Sequence, residues 1–263
     1  MGRTIIMKKL FVLIGLATLP LLGLACIPFG SIVGRGPTET RSLDFSEFTK
    51  VEVSSTFDVE IIRDASYSVS VTTNQNIFDY LDFERNGDTL KIKLKNGNYT
   101  VASLKARVAM PQIASLQVTV ASSAALSGFT SNEGLKLAAS GASSIELDGI
   151  KCGDVNSTIS GASKIRGSLE SGNTVFNVSG ASNISFSGRG QDLNMAVSGA
   201  SRATLKEFVT ASAKVNFSGA SNGDVNTSGR LDVTLSGASS LKYYGNPTMG
   251  DVNVTGASTL NKG

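Results

Sequence analysis

The amino-acid sequence predicts an all-β protein, a parallel β-solenoid that uses about 19 residues for each coil. The tetrapeptide Ser-Gly-Ala-Ser recurs six times between Ser140 and Ser239, and Thr255–Ser258 adds a variant. We assign Ala121–Ala124 as a degenerate copy ahead of this series. A fixed short period indicates stacked copies of one supersecondary unit. Apolar residues alternate with polar ones on both sides of the motif, which is typical of strands.

Each copy is predicted to contain a strand, a Ser-Gly-Ala-Ser corner, a second strand and a loop. The inner column of the first strand is aliphatic or aromatic, with Ile159, Val178, Val197, Phe217, Leu235 and Val254 at one register. We expect the Gly to adopt a backbone angle that a Cβ disfavours. The Ala is predicted to point inward, and the Ser hydroxyls to cap backbone groups rather than to bind a ligand.

Two other repeat folds fit the sequence less well. A leucine-rich repeat needs a helix or a regular Leu/Asn framework, and no apolar stripe at helical spacing occurs between Val118 and Leu260. A left-handed helix of hexapeptides needs a six-residue sub-period, which this sequence does not show. The regular solenoid is therefore assigned to residues 118–263.

Residues 41–117 are predicted to form irregular β-rich coils or a cap over the N-terminal edge of the solenoid, where open strands would expose unpaired backbone groups. The expected strands are Phe48–Val53, Phe57–Ile62, Tyr67–Thr72, Thr89–Leu94 and Lys105–Met110. Asn74–Leu81 suggests a helical turn, and Asn86-Gly87-Asp88 a hairpin turn.

The N-terminus is typical of an export signal. Basic residues precede an apolar run from Leu10 to Leu24, which ends at Leu24-Ala25-Cys26. We predict a signal peptide over residues 1–25, a lipid attached to Cys26 as in a bacterial lipoprotein, and a flexible tether over residues 26–40. Cleavage after Ala25 to give a secreted soluble protein, or an uncut membrane span, are the alternatives.

Composition and charge argue against several classes of function. Cleavage after residue 25 would remove Arg3, Lys8 and Lys9 and no acid, so the 24 basic residues become 21, equal to the 21 acids. A near-zero net charge gives no support to nucleic-acid binding. The absence of His excludes a Ser-His-Asp triad. Cys152 is interpreted as a half-buried structural side chain.

The main alternative is a β-helix polysaccharide lyase or hydrolase that uses carboxylates on its outer face. Asp232 and Asp251 each lie four residues before a motif and are the best candidates, whereas Asp154 and Asp224 do not share that register. Glu146 and Arg166 are predicted to form an exposed ion pair. Two further residues, Tyr243 and Tyr244, are the candidate aromatic platforms for sugar. We predict no catalytic residue, cofactor or metal site.

Four segments and the repeat together carry a family resemblance. They are Phe48–Ile62, Asn76–Tyr80, Gly87–Leu94 and Ile113–Val118, followed by the Ser-Gly-Ala-Ser series. In order and spacing they resemble the putative auto-transporter adhesin, head GIN domain family, over roughly residues 40–260. The resemblance implies a single-stranded right-handed parallel β-helix in an exported bacterial protein without identified catalytic residues. The function expected is non-catalytic surface adhesion or an interaction scaffold at the cell envelope.

The predicted partners are the membrane, through the lipid anchor, and a surface glycan or protein. A solenoid normally needs a cap at each end. We therefore expect that Thr259–Gly263 folds over the last coil, or that this end meets a partner or a second copy.

Overall fold

The structure, a computed structural model, describes residues 30–263 and confirms the predicted β-solenoid, with about seven turns of about 20 residues each. The predicted signal peptide and Cys26 lie outside the described residues. In chain order the strands are β1 (Ile32–Val33), β2 (Thr38–Leu43), β3 (Lys50–Val53), β4 (Asp58–Arg63), β5 (Ser68–Asn74), β6 (Leu81–Asn86), β7 (Thr89–Leu94), β8 (Tyr99–Thr100), β9 (Leu104–Met110), β10 (Ser115–Val118), β11 (Ser123–Ser127), β12 (Leu135–Ala139), β13 (Ser144–Lys151), β14 (Val155–Ile159), β15 (Lys164–Glu170), β16 (Thr174–Val178), β17 (Asn183–Val197), β18 (Arg202–Phe217), β19 (Asn222–Thr227), β20 (Arg230–Leu235), β21 (Ser240–Tyr244), β22 (Thr248–Val254) and β23 (Thr259–Lys262). A 3₁₀ helix covers Gln75–Tyr80, where the sequence suggests a helical turn.

Two parallel ladders run along the solenoid, one on each side of the corners. Face A stacks the strands that precede the corners: β7, β3, β10, β12, β14, β16, the second halves of β17 and β18, β20 and β22. Face B stacks the strands that follow the corners: β9, β4, β11, β13, β15, the first halves of β17 and β18, β19, β21 and β23. Inward side chains from both faces meet in one apolar core.

The predicted inner column is buried in every coil except the last. Ile159, Val178, Val197, Phe217 and Leu235 are all buried, whereas Val254 is 40% exposed. Val254 belongs to β22, which has a neighbouring strand on one side only among the described residues. Burial in a solenoid comes from the coils above and below, so Val254 keeps the predicted register but is not covered.

The corners are built around an inward Ser, and the prediction of an inward Ala is wrong. The fourth residue of each motif, as in Ser163 or Ser221, is buried, while Ala162 and Ala220 are exposed. The Ser221 hydroxyl donates to the Ser218 carbonyl oxygen at 2.8 Å, which satisfies a polar group inside the coil. The interpretation of the motif Ser as a backbone cap is therefore confirmed at these corners.

The register of the degenerate copy also needs correction. Ser123 pairs with Ser144, so the corner equivalent to Ser140–Ser143 is Thr119–Ser122 rather than Ala121–Ala124. Val120 takes the place of the motif Gly, with φ +54° and 60% exposure. The prediction matched residue types alone and was displaced by two residues, because this early corner lacks the Gly that marks the others.

The N-terminal end of the solenoid is closed by irregular structure. Antiparallel β2 and β5 extend face B, antiparallel β6 extends face A, and the 3₁₀ helix buries Ile77. The tether predicted over residues 26–40 does not reach residue 40, because β1 pairs with β8 and β2 begins at Thr38. Asn76 fixes this segment by donating to the Val33 carbonyl oxygen at 2.9 Å.

The C-terminal end has no such covering among the described residues. Thr259–Lys262 forms β23 and pairs with β21 in the regular parallel register, so the prediction that this segment folds over the last coil is wrong. A strand continues here because Thr259 and Leu260 repeat the polar–apolar alternation of Ser240 and Leu241. Within residues 30–263, no helix has the length and apolar character needed to span a bilayer.

Candidate functional site

Of the two carboxylates considered for catalysis, Asp232 lines a shallow groove on the outer side of face A together with Asp192, Lys214 and Arg230. Arg230 bridges the two candidates: its guanidinium contacts Asp232 at 2.6 Å and Asp251 at 3.4 Å. The Asp251 backbone N–H also donates to the Asp232 carboxylate at 2.7 Å. The Asp232 carboxylate therefore contacts both the Arg230 guanidinium and the Asp251 backbone N–H.

This arrangement disfavours acid–base chemistry. The Arg230 guanidinium, followed by the Asp251 N–H, holds the pKa of Asp232 below its ordinary value. A general acid in glycoside cleavage needs a carboxyl whose pKa is raised, so that it carries a proton near neutral pH. The contacts of Asp232 act in the opposite direction and suit a structural ion pair.

The three Gly-Asp-Val tripeptides have different local roles, as their registers predict. Asp154 accepts a hydrogen bond from the Asn173 backbone N–H at 2.8 Å, and Asp224 accepts one from the Leu205 N–H at 2.7 Å. Asp251 instead faces Arg230. Each bond involves an adjacent coil, so these carboxylates fix loops and irregular strand pairs. Across residues 30–263, no group of three or more Cys, Asp or Glu side chains is arranged to hold a metal ion.

Cys152 is partly buried and packs against the core, in agreement with its structural interpretation. Burial, with a smaller contribution from the nearby Asp154 carboxylate, raises the pKa of the Cys152 thiol to about 11. A reactive cysteine needs a lowered pKa, because the thiolate is the nucleophile. Cys152 is therefore a poor nucleophile at neutral pH.

Exposed ion pairs follow the ladder of face B. Arg166 donates to Glu146 at 2.9 Å, which confirms the predicted cross-strand pair. A second set was missed: Glu170 lies between Lys151 at 3.2 Å and Arg189 at 2.7 Å, on three adjacent coils. Registering every charged residue against the repeat would have found it. Such exposed pairs contribute little to stability.

Neither candidate aromatic platform is open to a sugar. Tyr243 is partly buried and packs against the core. The Tyr244 ring lies 5.1 Å from the Lys206 ammonium and is also packed by Gly263. A sugar platform needs a free ring face, so these tyrosines are better described as packing residues at the last coils.

The structure reveals a polar column on face A that the sequence interpretation missed. It contains the exposed residues Thr158, Asn177, Ala196, Asn216, Thr234 and Asn253, each two residues before a motif. Within the described part of the chain, the side chains of its Thr and Asn residues have no hydrogen-bond partner. Their hydroxyl and amide groups remain available to a ligand, on rungs about 4.8 Å apart. The sequence feature that indicates this column is the recurrence of short polar residues two positions before each motif.

The comparisons with known proteins agree with this fold. The sequence pattern of the family described as putative auto-transporter adhesin, head GIN domain, matches residues 47–247. Crystal structures of a putative lipid binding protein and a putative adhesin, both from Parabacteroides distasonis, align with TM-scores of 0.80 and 0.81 at 21% and 15% identity. Each alignment covers 88% of this chain and 99% of the other. A putative adhesin from Parabacteroides merdae gives 0.80 at 14% identity, with coverages of 89% and 99%. No curated protein matches the chain.

Proposed function

The chain belongs to the putative auto-transporter adhesin, head GIN domain family, and we propose that it is an exported bacterial surface protein that acts in adhesion without catalysis. The observation that carries the proposal is the polar column of face A. It presents six short, exposed side chains, of which all except that of Ala196 carry hydrogen-bonding groups that are unused within the described chain. Such a row suits an extended ligand that lies along the solenoid.

The chemistry of the column favours a hydroxyl-rich ligand, and we propose a surface glycan. An Asn amide both donates and accepts, as does a Thr hydroxyl, so either can pair with sugar hydroxyls in several orientations. Short side chains such as Asn177 and Thr234 also lose less conformational entropy on binding than Lys or Arg. Many modest contacts on a repeated spacing would then supply avidity.

The non-catalytic part of the proposal is supported by the contacts of Asp232 and Asp251. Arg230 and the Asp251 backbone N–H occupy the Asp232 carboxylate, which a lyase or hydrolase would need free. The experiment is to apply the purified full chain to arrayed glycans and to peptidoglycan while measuring release of reducing sugar. We expect binding without release. Sugar release that is abolished by Asp232→Ala would overturn the non-catalytic assignment in favour of the enzyme.

We further propose that Cys26 carries a lipid and anchors the protein to the cell envelope. The described chain enters the fold at its closed end, where β1 pairs with β8. An anchor at Cys26 would therefore place that end toward the membrane and the last coil away from it. Mass spectrometry of the mature N-terminus tests this, and an unmodified Cys26 would favour the secreted soluble alternative.

A further inference from the structure

The last coil presents an apolar surface at the tip of the solenoid. Met249, Val252 and Val254 are 38%, 46% and 40% exposed. They continue the columns of Leu231, Val233 and Leu235, which are at most 1% exposed. The tip is therefore a cross-section through the hydrophobic core, and covering it would remove apolar surface from water.

The same tip also offers unpaired strand edges. Among the described strands, β22 and β23 pair only with β20 and β21, which lie on one side of them. Their outer edges, seven and four residues long, carry backbone N–H and C=O groups that can pair with another chain. A partner that covers both edges and the apolar centre at once must present two strands flanking a core of the same width.

The opposite end of the solenoid cannot be that partner. Its outermost strands, β2 and β6, run antiparallel to the strands they pair with, and the ion pairs Glu84–Lys91 at 3.1 Å and Asp82–Lys93 at 3.2 Å join β6 to β7. The 3₁₀ helix covers the core, and the Arg41 guanidinium lies 3.9 Å from the centre of the Phe78 ring. No large hydrophobic residue is exposed on these N-terminal strands among the described residues, so head-to-tail stacking would leave the apolar tip without an apolar counterpart.

A second tip satisfies every requirement, and we propose that two copies join tip to tip across a two-fold axis. The two last coils have the same width, so each copy's strands extend the other's sheets while the two apolar centres meet. The rim carries charges of both signs, Asp251 with a fully exposed side chain and Lys262. Two copies therefore meet without a net charge repulsion.

Tip-to-tip pairing places the two entry points of the chain at opposite far ends. Copies anchored on facing surfaces would then join the surfaces through their last coils, as homophilic adhesion. This role of the dimer rests on the proposed function, because it requires export and anchoring at the closed end. The pairing itself rests only on the exposed tip.

The test compares the full chain, purified in detergent, with Val252→Asp/Val254→Asp by analytical ultracentrifugation. We expect a concentration-dependent dimer whose dissociation constant rises at least tenfold in the double variant. Val209→Asp is the matched control: Val209 is 45% exposed, lies in β18 away from the tip, and its substitution should leave the dimer intact. A wild-type chain that stays monomeric, or a double variant that pairs as strongly as wild type, would refute the tip interface.

Hydrogen exchange of the unmodified chain gives a second readout that no substitution can perturb. Amides of β22 and β23 should become protected as concentration rises, while amides of β14 stay constant. Unchanged exchange at the tip would also contradict the proposal. Glycan binding by the double variant separates the two hypotheses, since a monomer that still binds glycan retains the proposed function without tip pairing.

Discussion

At the scale of the residue, the corner Gly has two requirements that no side chain meets together. Gly219 has φ +74°, and a Cβ built on it would lie 2.7 Å from the carbonyl oxygen of Gly199 in the preceding coil. The adjacent Ala220 N–H donates to that same oxygen at 2.8 Å, which holds the coils close together. Both the left-handed backbone and the close approach therefore demand Gly here.

We predict that Gly219→Ala lowers the free energy of unfolding by about 3 kcal/mol, from left-handed strain and displacement of the neighbouring coil. Val120→Gly should raise it by about 1 kcal/mol, because it relieves strain at an exposed corner. Urea denaturation measures both, with Ala220→Ser as a control that should be nearly neutral. Equal stability of Gly219→Ala and wild type would show that the coils can separate without cost.

A second residue-scale prediction concerns the pKa of Asp232. Its depressed pKa means that its contribution to stability is present above the ordinary carboxyl range and is lost as pH falls through the lowered value. In Arg230→Ala the main cause of the depression disappears, so the pKa should rise toward the ordinary value of 3.8. Carbon-detected NMR titration measures it. An unchanged pKa would mean that Arg230 does not engage Asp232 in solution.

At the scale of the element, β14 buries a polar side chain that has no hydrogen-bond partner in the described part of the chain. Ser157 is fully buried in a column between Leu137 and Phe176, and its hydroxyl has no partner within the described residues. Burial of an unpaired hydroxyl is unfavourable, so Ser157→Ala should stabilise the protein by about 1 kcal/mol. Ser163→Ala should do the reverse, because the Ser163 hydroxyl accepts the Ser143 N–H. Thermal unfolding should therefore shift in opposite directions for the two variants, and a shift in the same direction would contradict the different roles of the two hydroxyls.

The sequence predicts elements best where one residue pattern repeats. Strand positions followed from alternation, and the Glu146–Arg166 pair followed from register. The direction of the motif Ala did not follow from the sequence, because Ala and Ser have similar size. The Ser points inward because its hydroxyl has a backbone hydrogen-bond partner there. Thr119–Ser122 was misplaced because Val120 replaces the Gly on which the register depends.

The repeat predicts neither the ion pairs of the carboxylates nor the structure at the ends of the solenoid. Arg230 precedes Asp232 by two residues, but its contact with Asp251 depends on the local shift in register between β20 and β22. The fate of Thr259–Gly263 depended on whether an edge strand continues the ladder or leaves it. Such choices are made by tertiary pairing rather than by local preference.

At the scale of the whole molecule, the fold separates a scaffold from two exposed surfaces. The core and the corners repeat in each coil and specify the rod. The polar column of face A offers unused hydrogen-bonding groups along its side, and the last coil offers an apolar tip. We propose that the column binds a surface glycan and that the tip binds a second copy, so adhesion needs no reactive centre.

The measurement that tests the central claim most directly compares two double variants in binding to glycan-coated surfaces. Asn177→Glu/Asn216→Glu alters the polar column just before two corners, and Asn183→Glu/Asn222→Glu makes the same change just after those corners, on face B. All four side chains lack hydrogen bonds within the described chain, so neither double variant removes one. Thermal unfolding of both variants checks that each is folded before binding is compared. We predict at least a tenfold loss of affinity for the face A variant and little change for the face B variant. Equal binding by both would contradict a role for the column.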